Sequence, residues 1–162
     1  MIAPVMLHPE PDQNRYGWFE STTFCAHPCE RQKRIVNGWQ VHPPGLRIAD
    51  YLTAGGRVDL YRLTPINRLD PDEELQLTEL LLAFEGSHYD MAGALFSGTR
   101  LFQSSRFFPG ADLESLFCSE MITATLQRLN RMNHENPTRY NPAKLIRELL
   151  DQGTYQLVET YE

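Results

Sequence analysis

The sequence contains few cysteines and no long apolar run. Three of its 162 residues are cysteines, Cys25, Cys29 and Cys118, and an odd, sparse set is not typical of a secreted disulfide scaffold. No segment has the uninterrupted apolar length of a membrane-spanning helix, and the first residues lack the basic and apolar regions of a signal peptide. We therefore expect a cytoplasmic protein without a transmembrane segment.

An excess of positive charge is also absent. The chain has 15 Lys and Arg against 21 Asp and Glu, which gives a net charge of -6. Because a phosphate backbone attracts basic surfaces, we do not expect a nucleic-acid partner. The one basic run, RQKR at residues 31–34, is short and is typical of a solvated hairpin tip.

The length and the order of the patterns predict one α+β domain that spans residues 1–162. β-Branched and aromatic residues predict a strand over residues 19–26, and KRIVNGWQV predicts the returning strand. GRVDLYRL alternates polar and apolar residues, which indicates a strand with one buried face. Helical patterns follow, and TYQLVET predicts a closing strand. This order favours an antiparallel sheet packed against helices.

Capping signals mark the predicted helices. Asp70 is a good N-cap before Pro71, and Gly86 is expected to end that helix. Asn141 and Pro142 open the last helix by the same logic. A further amphipathic helix is predicted to begin at Cys118, in the segment FCSEMITATLQRLN.

The position of Cys118 at a helix start suits nucleophilic chemistry. Unpaired backbone N–H groups give a helix N-terminus about half a positive charge, and that field favours a thiolate, which is the nucleophile. The same N–H groups are able to bind the oxyanion of a tetrahedral intermediate. The alternative is a small buried apolar residue beside Phe117, since most free cysteines are inert.

The order of elements resembles that of the circularly permuted papain-like hydrolases. The segments that carry the resemblance are GLRIADYL, GRVDLYRL, GSHYD, FCSEMITATL and NPAKLIREL. They match the branch that includes the YiiX-like proteins, which is related to the NlpC-type peptidases and, more distantly, to lecithin retinol acyltransferase. The resemblance implies a permuted papain-like fold in which a cysteine attacks a carbonyl, a histidine moves the proton and a polar residue orients the histidine.

The resemblance assigns roles to particular residues. Cys118 matches the nucleophile, and Asn37 falls near the position of the polar residue, although an asparagine before glycine is also typical of a turn. Tyr89 matches the tyrosine of the tyrosine–aspartate motif, where it would line the pocket, and Ser119 follows the nucleophile. Ser21 stands where the resemblance predicts the histidine. The candidate substrate-binding residues are Ser21, Tyr89 and Ser119.

The nearest histidine to that position is His27, six residues further along the chain. A strand rises about 3.3 Å per residue, so His27 would lie roughly 20 Å from Ser21 along a continuous strand. Three interpretations stay open: the strand register differs and His27 is the base, the protein binds without turnover, or the chain is a variant that has lost its base.

The leading hypothesis is a cysteine hydrolase that cleaves an amide, peptide or ester bond through a thioester on Cys118. Its substrate would be a peptide, peptidoglycan or an acyl lipid, and the chemistry requires no cofactor and no metal. Cys25, His27 and Cys29 form an incomplete ligand set for tetrahedral zinc. The alternative is a catalytically impaired binding module on the same scaffold, which Ser21 favours. A reactive Cys118 is expected to have a depressed pKa.

Overall fold

The computed structural model describes residues 6–9, 16–24, 26–89, 115–116 and 118–162. These residues form an α+β structure with four α-helices and seven strands. The strands are β1 (Met6–Pro9), β2 (Tyr16–Thr22), β3 (Gly38–His42), β4 (Val58–Leu63), β5 (His88–Tyr89), β6 (Ser115–Leu116) and β7 (Tyr155–Tyr161). The helices are α1 (Pro44–Thr53), α2 (Pro71–Ala83), α3 (Cys118–Arg128) and α4 (Pro142–Asp151).

The strands divide between two sheets. The larger sheet has the order β1-β2-β3-β5-β6, and its neighbours are antiparallel except for the short parallel pair β5–β6. The smaller sheet is an antiparallel pair, β4–β7, with a register shift between Leu60 and Tyr61. The predicted α+β class is confirmed, but the sequence patterns did not indicate that the strands would form two sheets.

Both faces of β2 are covered, and they have different characters. Phe19 lies opposite Val41 of β3 and Glu20 lies opposite Gln40. Because successive residues of a strand point to opposite faces, the apolar pair and the polar pair face different layers. The apolar face packs against α2 and α3 in the main core, whose buried members include Phe19, Trp39, Val41, Leu77, Leu81, Met121, Ile122 and Leu126. The polar face meets α1, where Glu20 contacts Arg47 and Tyr51.

Local capping signals position the helices. Asp70 accepts from the backbone N–H of Glu73, and the Glu73 carboxylate accepts from the Asp70 N–H, which completes a capping box at the start of α2. The Asn141 side chain accepts from the Lys144 N–H at the start of α4. Both predicted helix starts are confirmed. The predicted end of α2 was late, because the helix ends at Ala83 and Gly86 lies beyond it in a turn with φ +92°.

Gly38 allows a close approach of two backbones. It opens β3 with a φ of +131°, and a Cβ at this position would lie 2.2 Å from the Ser87 carbonyl oxygen. That oxygen accepts from the Trp39 N–H at 3.0 Å. A side chain at Gly38 would therefore collide with the backbone that joins β3 to the start of β5.

Three strand predictions need correction. The returning strand predicted over KRIVNGWQV is β3, which begins only at Gly38 and ends at His42. The strand predicted over residues 19–26 is β2, and it runs from Tyr16 to Thr22 because its pairing with β3 stops where Thr22 meets Gly38. The strand GRVDLYRL is β4, but its residues are mostly half-buried on both faces. This pattern reflects its place in a two-stranded sheet, where neither face is fully covered. The aromatic-rich segment GTRLFQSSRFFPGAD at residues 98–112, expected to be a loop, and Asp90 lie outside the described residues.

Candidate functional site

Cys118 is the first residue of α3 and is nearly buried, with a relative exposure of 6%. The helix start was predicted from the sequence and is confirmed. The backbone N–H groups of Ser119 and of Cys118 itself lower the pKa of the thiol. These donors are the free N–H groups of the first helical turn, which carry the positive end of the helix dipole.

The thiol does not have the depressed pKa that the helix start suggested. Burial raises the pKa of Cys118 to about 12, against the lowering effect of the two N–H donors, and the nearby carboxylates of Glu20 and Glu120 raise it further. The expectation was wrong because it counted the helix field and omitted desolvation and like charge. The resting thiol is therefore protonated at neutral pH.

A buried carboxylate forms the centre of the polar cluster that acts on Cys118. Glu20 of β2 is 1% exposed. Its Oε1 accepts from Arg47 Nε at 2.6 Å, and its Oε2 accepts from the Tyr51 hydroxyl at 2.8 Å. Burial raises the pKa of Glu20, although the Arg47 charge and these hydrogen bonds oppose the rise. Tyr51 also interacts electrostatically with Cys118. We call Glu20, Arg47 and Tyr51 the carboxylate cluster.

Arg47 joins three parts of the chain. Its guanidinium is fully buried, and besides Glu20 it donates to Asp50 Oδ2 at 2.7 Å and to the Phe24 carbonyl at 2.5 Å. It lies over the rings of Phe24 and Tyr51, at 5.4 and 4.9 Å from their centroids. These contacts fix α1 against β2 and use each nitrogen of the guanidinium. Burial lowers the pKa of Arg47, but the Glu20 carboxylate overcomes this effect, so the side chain stays charged.

His27 lies at the outer end of this network. It follows β2 in the loop, and its Nε2 forms a hydrogen bond with Asp50 Oδ1 at 3.2 Å. The orienting partner of His27 in the structure is thus a carboxylate. Asn37, which the resemblance assigned to that role, is exposed in the turn before β3. The role of Asn37 therefore stays a prediction.

The three predicted substrate-binding residues have different environments. Ser21 is buried in β2 opposite Trp39, on the face away from Glu20. Ser119 is buried and donates its hydroxyl to the Tyr140 carbonyl at 2.5 Å, which ties α3 to the segment before α4. Tyr89 lies in β5, where its backbone pairs with Leu116, two residues before Cys118. The strand pairing therefore brings the Tyr89 backbone close to the start of α3.

Another histidine, His42, is buried in the larger sheet. His42 ends β3 and is fully buried. Gln40 donates its amide N–H to the Thr22 carbonyl, so its Oε1 faces His42 Nε2 at 2.8 Å. Nε2 must then carry the proton, and Nδ1 is the basic nitrogen. Burial and the Arg47 charge lower the pKa of His42 to about 4.

The carboxylate cluster was missed in the sequence, although a signal was present. Glu20 is the lone acidic residue in a segment predicted to be a buried strand. Arg47, Asp50 and Tyr51 recur at helical spacing in LRIADY, which places them on one face of a helix. A buried carboxylate requires a partner, so a cation and a donor on one helical face were candidates for that partner.

Two further features of the described residues bear on the site. Cys29 is buried and accepts from the Val41 N–H at 3.4 Å, whereas Cys25 lies outside the described residues. Over the part of the chain that the structure covers, no group of three or more His, Cys, Asp and Glu side chains is arranged to hold a metal ion. No helix in that part is both long enough and apolar enough to cross a membrane.

Comparison of the chain with protein-family models, with curated proteins and with solved structures finds no match.

Proposed function

We propose that the chain is a cysteine hydrolase of permuted papain-like architecture, which cleaves an amide, peptide or ester bond through a thioester on Cys118. The observation that carries the proposal is the position of Cys118 as the first residue of α3, where the free N–H groups of the first helical turn lie. The order of the elements, with β2, β3, α1 and β4 ahead of the cysteine helix, supports the architecture.

The backbone donors support acyl transfer because they are rigid. N–H groups in the first turn of an 11-residue helix are already oriented, so they need not reorganise when charge develops on a substrate oxygen. In the proposed reaction the Cys118 sulfur bonds to the carbonyl carbon, and the bond to the leaving group breaks as that group takes up the thiol proton. Water then cleaves the thioester, which releases the acid and restores the thiol.

The proposed substrate carries an acyl or peptide portion with apolar groups, which aromatic side chains near the site suit. Cys118 is nearly buried, and the aromatic residues beside the carboxylate cluster include Trp18, Tyr51 and Phe24, whose rings lie within 5.9 Å of one another in successive pairs. Phe24 is 44% exposed and marks the outer side of this aromatic group. A peptide, a peptidoglycan stem or an acyl lipid each present a carbonyl beside such a portion.

Acylation of Cys118 tests the proposal. The protein is incubated with p-nitrophenyl esters of short and medium acyl chains and with a peptide p-nitroanilide panel, and the acylated residue is located by peptide mass spectrometry after an acid quench. We expect release of p-nitrophenol with an acyl adduct on Cys118. Cys118→Ala should lose both signals.

Cys29→Ala is the matched control, because Cys29 is also a buried free thiol but lies away from a helix start. This variant should keep the acyl adduct and the product release. An adduct of equal yield in Cys118→Ala, or no adduct on the parent with any acyl donor, would exclude the hydrolase.

A second candidate function is a binding module on the same scaffold. It is favoured by the raised pKa of Cys118, because a protonated thiol is a poor nucleophile. Under this alternative the peptide or acyl ligand binds without turnover. Binding of a non-cleaved acyl peptide that is equal in the parent and in Cys118→Ala, together with no acyl adduct, would favour the module over the enzyme.

A further inference from the structure

We propose that the buried hydroxyl of Ser119 is a positioning group for Cys118, because it ties the first turn of α3 to the Tyr140 carbonyl and so holds the nucleophile in place. The assignment rests on the proposed function, since it names the residue that fixes the sulfur used in that reaction. It gives Ser119 a different role from the substrate contact that the resemblance implied.

The Ser119 side chain is enclosed by the protein. It is 0% exposed, and its hydroxyl donates to the Tyr140 carbonyl oxygen at 2.5 Å. A serine hydroxyl has one proton to donate, and here that proton is used within the fold. The hydroxyl therefore serves an internal contact between two segments that are 21 residues apart in the chain.

The carbonyl that accepts this hydrogen bond belongs to a well-anchored segment. Tyr140 is 1% exposed, and its backbone N–H donates to the Pro137 carbonyl at 3.0 Å. The Lys144 ammonium lies over the Tyr140 ring, 4.3 Å from its centroid. The next residue, Asn141, caps α4 by accepting from the Lys144 N–H. Because both the backbone and the ring of Tyr140 are held, its carbonyl is a fixed point for Ser119.

The tether acts on Cys118 through the geometry of the helix. Ser119 is adjacent to Cys118 in the first turn of α3, and the backbone of an α-helix is rigid, so a fixed Ser119 side chain restricts rotation of that turn about the helix axis. The Ser119 N–H is also one of the free donors of the turn. One contact therefore fixes both the sulfur and a donor that is able to bind an oxyanion without moving.

The variant Ser119→Ala removes the tether and changes the volume of the side chain little. Thr125→Val is the matched control, because Thr125 is also 0% exposed in α3. Its hydroxyl donates to the Met121 carbonyl at 2.8 Å, which is a bond within the helix and does not join α3 to another segment. Ser119→Thr keeps a hydroxyl and tests rescue.

The first measurement is the steady-state release of p-nitrophenol from an ester that acylates the parent. We expect Ser119→Ala to lower kcat about tenfold or more with KM nearly unchanged, because misplacement of a reacting group by about 1 Å costs up to about 100-fold in rate. Ser119→Thr should recover most of kcat, and Thr125→Val should stay near the parent.

The second measurement is alkylation by iodoacetamide from pH 6 to pH 10, with peptide mass spectrometry to separate the cysteines. Burial raises the pKa of the Cys118 thiol to about 12, and a loosened first turn would admit water and lower that pKa. Ser119→Ala should therefore be alkylated at Cys118 about tenfold faster at pH 8, the effect of one pKa unit. Labelling of Cys29, which is 0% exposed, should not change.

The two rates of Ser119→Ala thus change in opposite directions, which a general loss of stability does not produce. A raised KM with unchanged kcat would indicate a substrate contact and overturn the inference. Equal increases in the labelling of Cys118 and Cys29, or labelling of Cys118 at the parent's rate, would overturn it as well. Should Ser119→Ala fail to fold, Ser119→Cys, which has a weak S–H donor, takes its place and should show the same changes to a smaller extent.

Alkylation requires no substrate, so failure of the inference is distinct from failure of the hydrolase. A parent that forms the acyl adduct, with a Ser119→Ala variant that has the parent's kcat and labelling, keeps the proposed function and loses the tether. A parent without any acyl adduct, with faster labelling of Cys118 alone in Ser119→Ala, has the opposite meaning.

Discussion

The substitution Arg47→Met removes the cation from the buried carboxylate cluster. Arg47 is fully buried, Glu20 is 1% exposed, and their closest contact is 2.6 Å. Removal of one partner from such a pair leaves a buried charge without compensation, which costs about 3–5 kcal/mol. The Phe24 carbonyl also loses its donor, whereas Asp50, whose side chain is 22% exposed, is able to bind water instead. We therefore expect a loss of about 3–5 kcal/mol in the free energy of unfolding.

The assay is urea-induced unfolding followed by circular dichroism, with the slope of the transition checked for a change in m-value. Arg31→Met is the matched control, because Arg31 and Glu85 form a partly exposed pair at 3.0 Å that should contribute less than about 1 kcal/mol. The double variant Glu20→Met with Arg47→Met should recover most of the loss, since apolar groups of similar volume replace a buried pair at little cost.

The loss should also depend on pH in one direction. Without Arg47 the folded-state pKa of Glu20 rises further above that of the unfolded chain, so the stability of the variant falls as pH rises through the folded pKa. The deficit against the parent should therefore be smaller at pH 5 than at pH 8. A deficit in Arg47→Met no greater than that in Arg31→Met, or one that grows as pH falls, would refute this account of the cluster.

Three further predictions concern single sites. Gly38→Ala should lower the free energy of unfolding in urea by more than about 2 kcal/mol, because its positive φ is strained and its new Cβ collides with the Ser87 carbonyl. Gly45→Ala is the control and should leave the urea midpoint almost unchanged, since a Cβ at Gly45 meets no atom within 4 Å. His42 should lower the free energy of unfolding by roughly 3 kcal/mol as the pH drops from 6.5 to 4, because its folded pKa of about 4 lets the unfolded chain bind the proton first. His42→Gln should flatten that part of the stability profile. Cys118→Ala should fold with a loss of about 1–2 kcal/mol, and a loss above about 3 kcal/mol would indicate a core residue rather than a nucleophile.

Helix starts could be predicted from the sequence because their signals are local. Asp70 and Asn141 each bond to an N–H three residues ahead, so a window of a few residues contains the whole interaction. The start of α3 at Cys118 was found in the same way. The apolar spacing that marks a helix also lies within one element, which explains why the α+β class was predicted correctly.

The site itself depends on contacts between distant segments. Glu20 and Arg47 are 27 residues apart in the chain, and the sequence does not state that β2 and α1 meet. The end of β2 was misplaced for the same reason, because the residues after Thr22 have good strand propensity but lack a partner in β3. The pKa of Cys118 was predicted in the wrong direction, since burial is a property of the packed structure.

Burial of Cys118 has two opposite consequences for the proposed chemistry. It disfavours the thiolate, so the resting nucleophile is neutral. The same exclusion of water strengthens the hydrogen bonds that the Cys118 and Ser119 N–H groups can form with an oxyanion. In the proposed acylation the thiol proton passes to the leaving group as the S–C bond forms, so no free thiolate accumulates. The reaction thereby avoids the first effect and retains the second.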